Sequence, residues 1–264
     1  LITDHMNRKI SQDFINIDCR RWEVPNLIKC KSNNLFFFPF DSGFWRAFLY
    51  IDQTFNLDFL EDKNMAFQTG IGLSKFHLFC SDLDSSKLET SISNFHNTSY
   101  YIEQYIKSLE IFDSQKLDFK VNQRINNLTK NLSRHIKYVE FLFFSLRRNI
   151  RDYNIIHGDP KLNNFLFDIK HKNVVSLIDL DTVSSGFLQT DLADCIRSIC
   201  NLFGEDPENK DNVWFDINTC ILFLKGYSSI TNEKGINSFR FLLESIYLII
   251  FELTVRFFTD FLQS

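Results

Sequence analysis

Glycine and proline are scarce, at 8 and 4 of 264 residues, while Phe, Ile, Asn and Lys are heavily used. We read that bias as a habit of the coding sequence, not as a structural signal. No dense Lys/Arg run is present and the formal net charge is -4. That argues against nucleic acid as a main partner. It leaves nucleotides open, because Mg²⁺ and a few placed cations can offset phosphate charge. No CxxC pair occurs among the six cysteines at 19, 30, 80, 195, 200 and 220. Cys195 and Cys200 fall inside an apolar helical pattern, where thiols act as small core residues. Reduced thiols and a cytoplasmic protein are the expectation. A signal-peptide pattern is missing, with Asp4, His5, Arg8 and Lys9 in the opening turns. A long uninterrupted apolar run is missing too. The most apolar stretch, 239–262, is broken at helical spacing by Arg240, Glu244, Glu252, Arg256 and Asp260. It reads as a core-facing helix, not a membrane span.

What is present has the size of one large domain or two modest ones. Ile2, Met6, Ile10, Phe14 and Ile17 recur at three and four, so residues 1 to about 17 read as the end of a helix. Pro25 breaks that pattern. Strand-like runs at 26–30, 35–40 and 45–51 read as a small antiparallel meander. From Asn64 onward the chain turns helical, at 65–83, 97–109 and 128–148. Residues 165–167 and 174–180 are strand-like across a polar turn at 168–173. Helices are expected again at 188–203, 214–227 and 239–262. There is no internal repeat and no low-complexity linker. A few strands, then a helical bulk holding one isolated hairpin, is an α+β pattern.

The chemistry concentrates in Ile156-His157-Gly158-Asp159-Pro160-Lys161-Leu162-Asn163-Asn164, followed by Ile178-Asp179-Leu180-Asp181-Thr182. Phosphoryl transfer asks little of a protein beyond positioning and charge neutralisation. It needs a carboxylate to take a hydroxyl proton, which Asp159 can supply. It needs hard oxygen ligands for Mg²⁺, which Asn164 and Asp179 can supply. A hairpin of 165–167 with 174–178 sets Asn164, before its first strand, beside Asp179, at the end of its second. Asp159 lies five residues upstream of Asn164, in a loop anchored by the same hairpin. Each residue alone is noise; together they are specific.

These two motifs resemble those of the aminoglycoside phosphotransferase and choline kinase superfamily. The Lys161 and Asn163-Asn164 variant, the string 178–182 and the following Asp191-Leu192-Ala193-Asp194-Cys195-Ile196-Arg197 look most like N-acetylhexosamine 1-kinases. Val24-Pro25, Trp45-Arg46, Phe95-His96 and the stretch 252–260 are smaller echoes. The resemblance implies a protein-kinase-like two-lobed fold. Residues 1–52 would be a remnant of the nucleotide-binding lobe and 53–264 the helical catalytic lobe. It implies ATP and Mg²⁺ as cofactors and a small hydroxyl-bearing acceptor, a sugar by preference. It leaves the oligomeric state open. Asp159 is then the catalytic base, also touching the acceptor, and Asn164 and Asp179 the metal ligands. Asp181 is an indirect or second-metal contact, or a solvated carboxylate. His157 braces the loop. Lys161 neutralises the phosphoryl group in flight, or is a surface lysine. Tyr50 and Ile51 fall at the hinge, where adenine meets backbone groups, and Leu166 and Ile178 line its floor. Arg197 faces the substrate, or is a salt-bridged helix arginine. From its position before an apolar-periodic run, Asp191 is expected to cap a helix beginning near Leu192. His77, His96, His135 and His171 show no metal-ligand spacing.

Kinases of this type carry a glycine-containing loop over the phosphates and a strand lysine that pairs with them. Here the first glycine is Gly43, just before the last strand of the meander, and the first residue is Leu1. The expectation is an incomplete chain with a truncated N-terminal lobe and poor activity on its own. The rivals are a kinase for choline, homoserine or an aminoglycoside, and a non-catalytic binder of nucleotide or sugar.

Overall fold

The computed structural model describes residues 1–17, 20–41, 43–88, 91–112, 118–150, 153–204, 213–231 and 233–264. Cys19 and Ser42 of the sequence reading lie outside them. Helix α1 (Ile2–Ile17) is followed by a short hairpin, β1 (Phe38–Phe40) and β2 (Gly43–Trp45), and by β3 (Thr54–Phe55). Then come α2 (Lys63–Cys80), α3 (Thr98–Ile111) and α4 (Phe119–Asn149). A central strand region holds β4 (Asn154–Ile156), β5 (Phe165–Asp168), β6 (Val174–Leu177) and β7 (Ser184–Gly186). Helices α5 (Leu188–Ile199), α6 (Ile217–Ser228), α7 (Glu233–Asn237) and α8 (Leu242–Gln263) complete the chain.

Acidic and amide side chains start these helices where the sequence offers them. Asp62, Asn97, Asp118 and Asp216 each accept a backbone N–H of the first turn of α2, α3, α4 and α6, worth about 1 kcal/mol apiece. The Asp118 cap explains why α4 begins nine residues before the expected start at 128.

Among the described residues three small antiparallel sheets form: β1-β2, β3-β5-β6 and β4-β7. The expected meander of three consecutive runs does not form as such. Residues 38–40 pair with 43–45, whereas 26–28 pair with 47–49 through a Leu27–Phe48 bridge and bonds from Ile28 N to Ala47 O and from Leu49 N to Asn26 O. The apolar side chains of the β1-β2 hairpin stay open, with Phe44 73% exposed.

Among the described residues two apolar clusters hold the helices. One joins α2, α5 and α6 to the β5-β6 hairpin through residues such as Phe76, Phe165, Phe167, Leu192 and Phe223, and includes Met6, Trp22 and Val24. The other joins α3, α4 and α8 through Tyr105, Leu142, Phe251 and Val255. Each such buried side chain contributes roughly 1.5–3 kcal/mol. Helix α2 is buried nearly all round, which a helix at the centre of a domain requires. Its approach to α6 is close enough that a Cβ on Gly226 would fall on the Phe67 carbonyl. No helix among the described residues is long and apolar enough to cross a membrane.

Candidate active site

The β5-β6 hairpin is the foundation of the site. Phe165 pairs with Leu177, and Ile178 N bonds Asn164 O at 2.9 Å. Asn164 and Asp179 therefore flank one end of the hairpin. Asp179 turns the chain with φ 63° and ψ 60°, in the left-handed region. Asp tolerates that conformation better than most residues do, and such geometry concentrates at functional sites.

Strand β4 delivers His157, Gly158 and Asp159 beside this end, through a pairing of Ile156 with Ser184 that the sequence reading did not foresee. Thr182 Oγ1 donates to His157 O at 2.8 Å. His157 is fully buried, and burial pushes its pKa down. The neutral ring fits its partners. Nε2 donates to Ile178 O at 2.9 Å, and Nδ1 accepts from Asp159 N at 3.3 Å. Gly158 has φ +89°, and a Cβ there would lie 2.7 Å from Thr182 O. Asn164 Nδ2 donates to Asp159 O at 2.8 Å, which ties the loop back to the hairpin.

Asp191 does not cap a helix at Leu192. Helix α5 starts at Leu188, and Asp191 stands in its first turn, 0% exposed. Its Oδ2 accepts from His157 N at 2.6 Å and lies 2.8 Å from His77 Nε2. Its Oδ1 accepts from Gly158 N at 2.8 Å. An acidic residue aimed at free N–H groups was the right chemistry, but the N–H groups belong to the β4 loop. Burial alone would raise this carboxyl. The His77 hydrogen bond and charge, with help from His157 and Gly158 N, outweigh it and hold the carboxyl below its usual range.

The loop separates two open clefts. One, of about 820 Å³, is lined by Tyr50, Ile51, Leu166, Ile178, Asp179 and Asp181. Ile51 is buried, while Tyr50 is 77% exposed. Asp181 is engaged in a two-pronged ion pair with Arg46, Nη1 to Oδ1 at 2.9 Å and Nη2 to Oδ2 at 2.5 Å. The other cleft, of about 710 Å³, is lined by Asp159, Lys161, Asp194, Arg197, His96 and Arg256, with Phe95, Trp214, Phe215 and Phe257 as aromatic walls. Lys161 Nζ lies 3.1 Å from Asp159 Oδ2. Arg197 Nε donates to Asp194 Oδ1 at 2.9 Å, and burial pushes the Asp194 carboxyl up. Arg197 is thus both salt-bridged on its helix and part of the cleft wall.

The structure gathers all eleven residues singled out from the sequence around these two clefts and the loop between them. Arg46, His96, Asp191, Arg256 and Glu252 were not picked for the site. They reach it from distant elements; the motif echoes at 45–46, 95–96, 191–197 and 252–260 contain them but gave them no role in the site.

Over residues 58–210 the chain matches the phosphotransferase enzyme family. Among solved structures, spectinomycin phosphotransferase in complex with ADP and spectinomycin superposes with a TM-score of 0.61 at 17% identity, over 98% of this chain and 71% of that one. An aminoglycoside phosphotransferase from Alicyclobacillus acidocaldarius gives 0.59 at 12% identity, over 99% of this chain and 81% of that one. A choline/ethanolamine kinase family protein from Mesorhizobium loti gives 0.56 at 12%, over 99% and 71%. At these identities the likeness is one of fold: a kinase-like arrangement of small sheets with a helical C-terminal part. The matched segment spans more than half the sequence and contains the whole His157–Asp181 region, and on that ground the chain belongs to the phosphotransferase enzyme family.

Proposed function

We propose that this protein is an ATP- and Mg²⁺-dependent phosphotransferase acting on a hydroxyl of a small molecule, a sugar by preference, with the anomeric hydroxyl of an N-acetylhexosamine as first choice. One observation carries the reading. Asp159 lines one cleft and Asp179 the other, while Asn164 ties the two through its bond to Asp159 O. A phosphoryl group passing from a nucleotide in the first cleft to an alcohol in the second would cross that loop.

Asp159 takes the proton of the attacking hydroxyl onto its carboxylate. Lys161 sits close enough to follow the phosphoryl oxygens. Leu166 and Ile178 offer an apolar floor to a base, with the backbone at 50–51 as its hydrogen-bonding edge. Arg46 holds Asp181, so any contact of Asp181 to a metal competes with that ion pair. The residues present fit a magnesium ion. Asn164 commits its amide nitrogen to Asp159 O, so its Oδ1 is left as a ligand beside Asp179. No group of three or more His, Cys, Asp or Glu able to hold a metal occurs among the described residues, and Mg²⁺ characteristically takes one or two protein ligands and completes its shell with phosphate oxygens and water. When bound, the ion would neutralise phosphate charge. We assign residues 1–52 to the nucleotide side and 53–264 to the catalytic side, and place the protein in the cytoplasm, where ATP is available.

The second cleft supports a neutral polyol over a polycation or a quaternary ammonium. Lys161, Arg197, Arg256 and His96 face only Asp159 and Asp194 there among the described residues. The Phe95 ring that could receive an ammonium is already occupied by the Arg256 guanidinium, 5.8 Å from its centroid. The exposed rings of Trp214 and Phe257 remain open to the face of a sugar, and the excess of cationic over acidic side chains around them disfavours an ammonium there.

The test offers the full-length protein ATP, Mg²⁺ and separate panels of N-acetylhexosamines, choline, homoserine and aminoglycosides. ADP release and ³¹P NMR of the product are recorded. A sugar 1-phosphate is the expected product. Turnover confined to choline or aminoglycosides would overturn the acceptor, and nucleotide binding with no transfer to any panel would favour a non-catalytic binder.

A further inference from the structure

His96 bridges two elements that carry the site. Its Nδ1 lies 3.0 Å from Glu252 Oε1 on α8, and its Nε2 lies 2.7 Å from Gly158 O on the loop. Glu252 is 2% exposed, and its other oxygen accepts from Thr98 Oγ1 at 3.2 Å. A neutral imidazole has one N–H and one lone pair. A backbone carbonyl and a carboxylate are both acceptors, so meeting both at once takes two N–H groups. The backbone at His96 is held at φ 54°, and that of Asn94 at φ 60°, conformations non-glycine residues rarely adopt. The intervening Phe95 ring packs on the loop, so that a Cβ on Gly158 would lie 3.2 Å from it. The 158–159 peptide is therefore gripped at both ends: His96 on its carbonyl and His157 on its N–H.

We propose that His96 is a positioning residue, an imidazolium clasped between Glu252 and the Gly158 carbonyl that fixes the peptide plane carrying Asp159. Only its consequence for turnover rests on the phosphotransferase reading. Loss of the proton turns one N–H into a lone pair facing an oxygen, and that end of the clasp opens. The charged groups around His96 are Glu252 and Arg256 from α8, Asp194 and Arg197 from α5, and Asp159 and Lys161 from the loop. Burial by itself would favour the neutral ring. The hydrogen bond and charge of Glu252, then the Gly158 carbonyl and Asp194, outweigh burial and raise the His96 pKa to about 9.

Nuclear magnetic resonance of the ¹⁵N-histidine-labelled full-length protein tests this directly, with His96 assigned by its loss in His96→Gln. Both ring nitrogens should be protonated at pH 7 and titrate together near the alkaline midpoint. The backbone amides of Gly158 and Asp159 should move with the same midpoint. Glu252→Gln should lower that midpoint by at least about one pH unit, since it removes the carboxylate charge. In turnover, kcat should fall across the same titration while the KM for ATP holds. His96→Gln should lower kcat about 10- to 100-fold, the range for a catalytic group displaced by roughly 1 Å, and erase the alkaline limb. If His96→Gln does not fold, the midpoint shift in Glu252→Gln carries the test. A single protonated ring nitrogen at pH 7, or Gly158 and Asp159 amides that ignore the titration, overturns the proposal. Absence of any turnover would instead count against the phosphotransferase reading, leaving the resonance result to decide the role of His96.

Discussion

Replacing Asp191 by alanine should cost far more stability than a helix cap. The carboxylate is fully buried and satisfies the backbone N–H groups of His157 and Gly158, at 2.6 and 2.8 Å, and His77 Nε2 at 2.8 Å. His77 keeps a second partner in Tyr227 Oη, 2.8 Å from Nδ1. The two backbone donors have no such recourse. Each orphaned buried donor costs roughly 1–3 kcal/mol, so the pair alone costs about 2–6 kcal/mol. That is a large share of the roughly 5–15 kcal/mol that holds a domain together. Urea unfolding followed by tryptophan fluorescence reads it, because Trp22 is buried in the core joined to this region. With a slope of about 1–3 kcal/mol per molar, the midpoint should fall by roughly 1 M or more. Asp191→Asn keeps the volume and one acceptor oxygen, so its loss should be intermediate. A midpoint in Asp191→Ala within about 0.3 M of wild type, at that slope, would refute the claim that this carboxylate carries the loop.

Asp179→Ala should remove the Mg²⁺-dependent part of ATP affinity, measured by calorimetry with and without the ion; unchanged metal dependence would mean the hairpin does not hold it. Gly226→Ala should destabilise the α2–α6 contact by about 1–3 kcal/mol, the usual range for overpacking, because the new Cβ meets the Phe67 carbonyl; thermal melting checks this. Stability should also fall on the alkaline side. The folded pKa of His96 lies above the ordinary value of 6.5, at about 9, so its contribution is complete below the unfolded pKa and is lost as pH rises through the folded one. It amounts to about 3 kcal/mol. Urea midpoints from pH 6 to 10 should show the decline in wild type and much less of it in Glu252→Gln.

The sequence disclosed what is local. Asp159, Asn164 and Asp179 span twenty-one positions and are joined by one hairpin, so strand periodicity and a polar turn sufficed to bring them together. Most helices with an apolar stripe were legible to within a few residues, as α2 at Lys63–Cys80 against the expected 65–83 shows, but the Asp118-capped start of α4 lay nine residues upstream of the expected one. Strands β4 and β7 were not foreseen. They are three residues each and pair across twenty-five or more positions, so neither periodicity nor a turn marks them. The meander was misassembled for a related reason: 26–30 finds its partner at 47–49 instead of next door. The cradle of the loop was hidden as well. Asp191, His77, His96 and Glu252 come from α5, α2, the segment before α3 and α8, and only the assembled fold brings them to Gly158. Asp191 was read as a cap because an acidic residue near a helix start has a local explanation that is usually correct.

The loop carrying Asp159 is the proposed seat of phosphoryl transfer. Asp159→Asn in the full-length protein tests it most directly, with ATP consumption and Mg²⁺-ATP affinity measured on the same preparation. Losing a positioned base should lower transfer by roughly a hundred- to ten-thousand-fold, while affinity for Mg²⁺-ATP stays close to wild type. A variant that turns over at a near-normal rate would contradict the account.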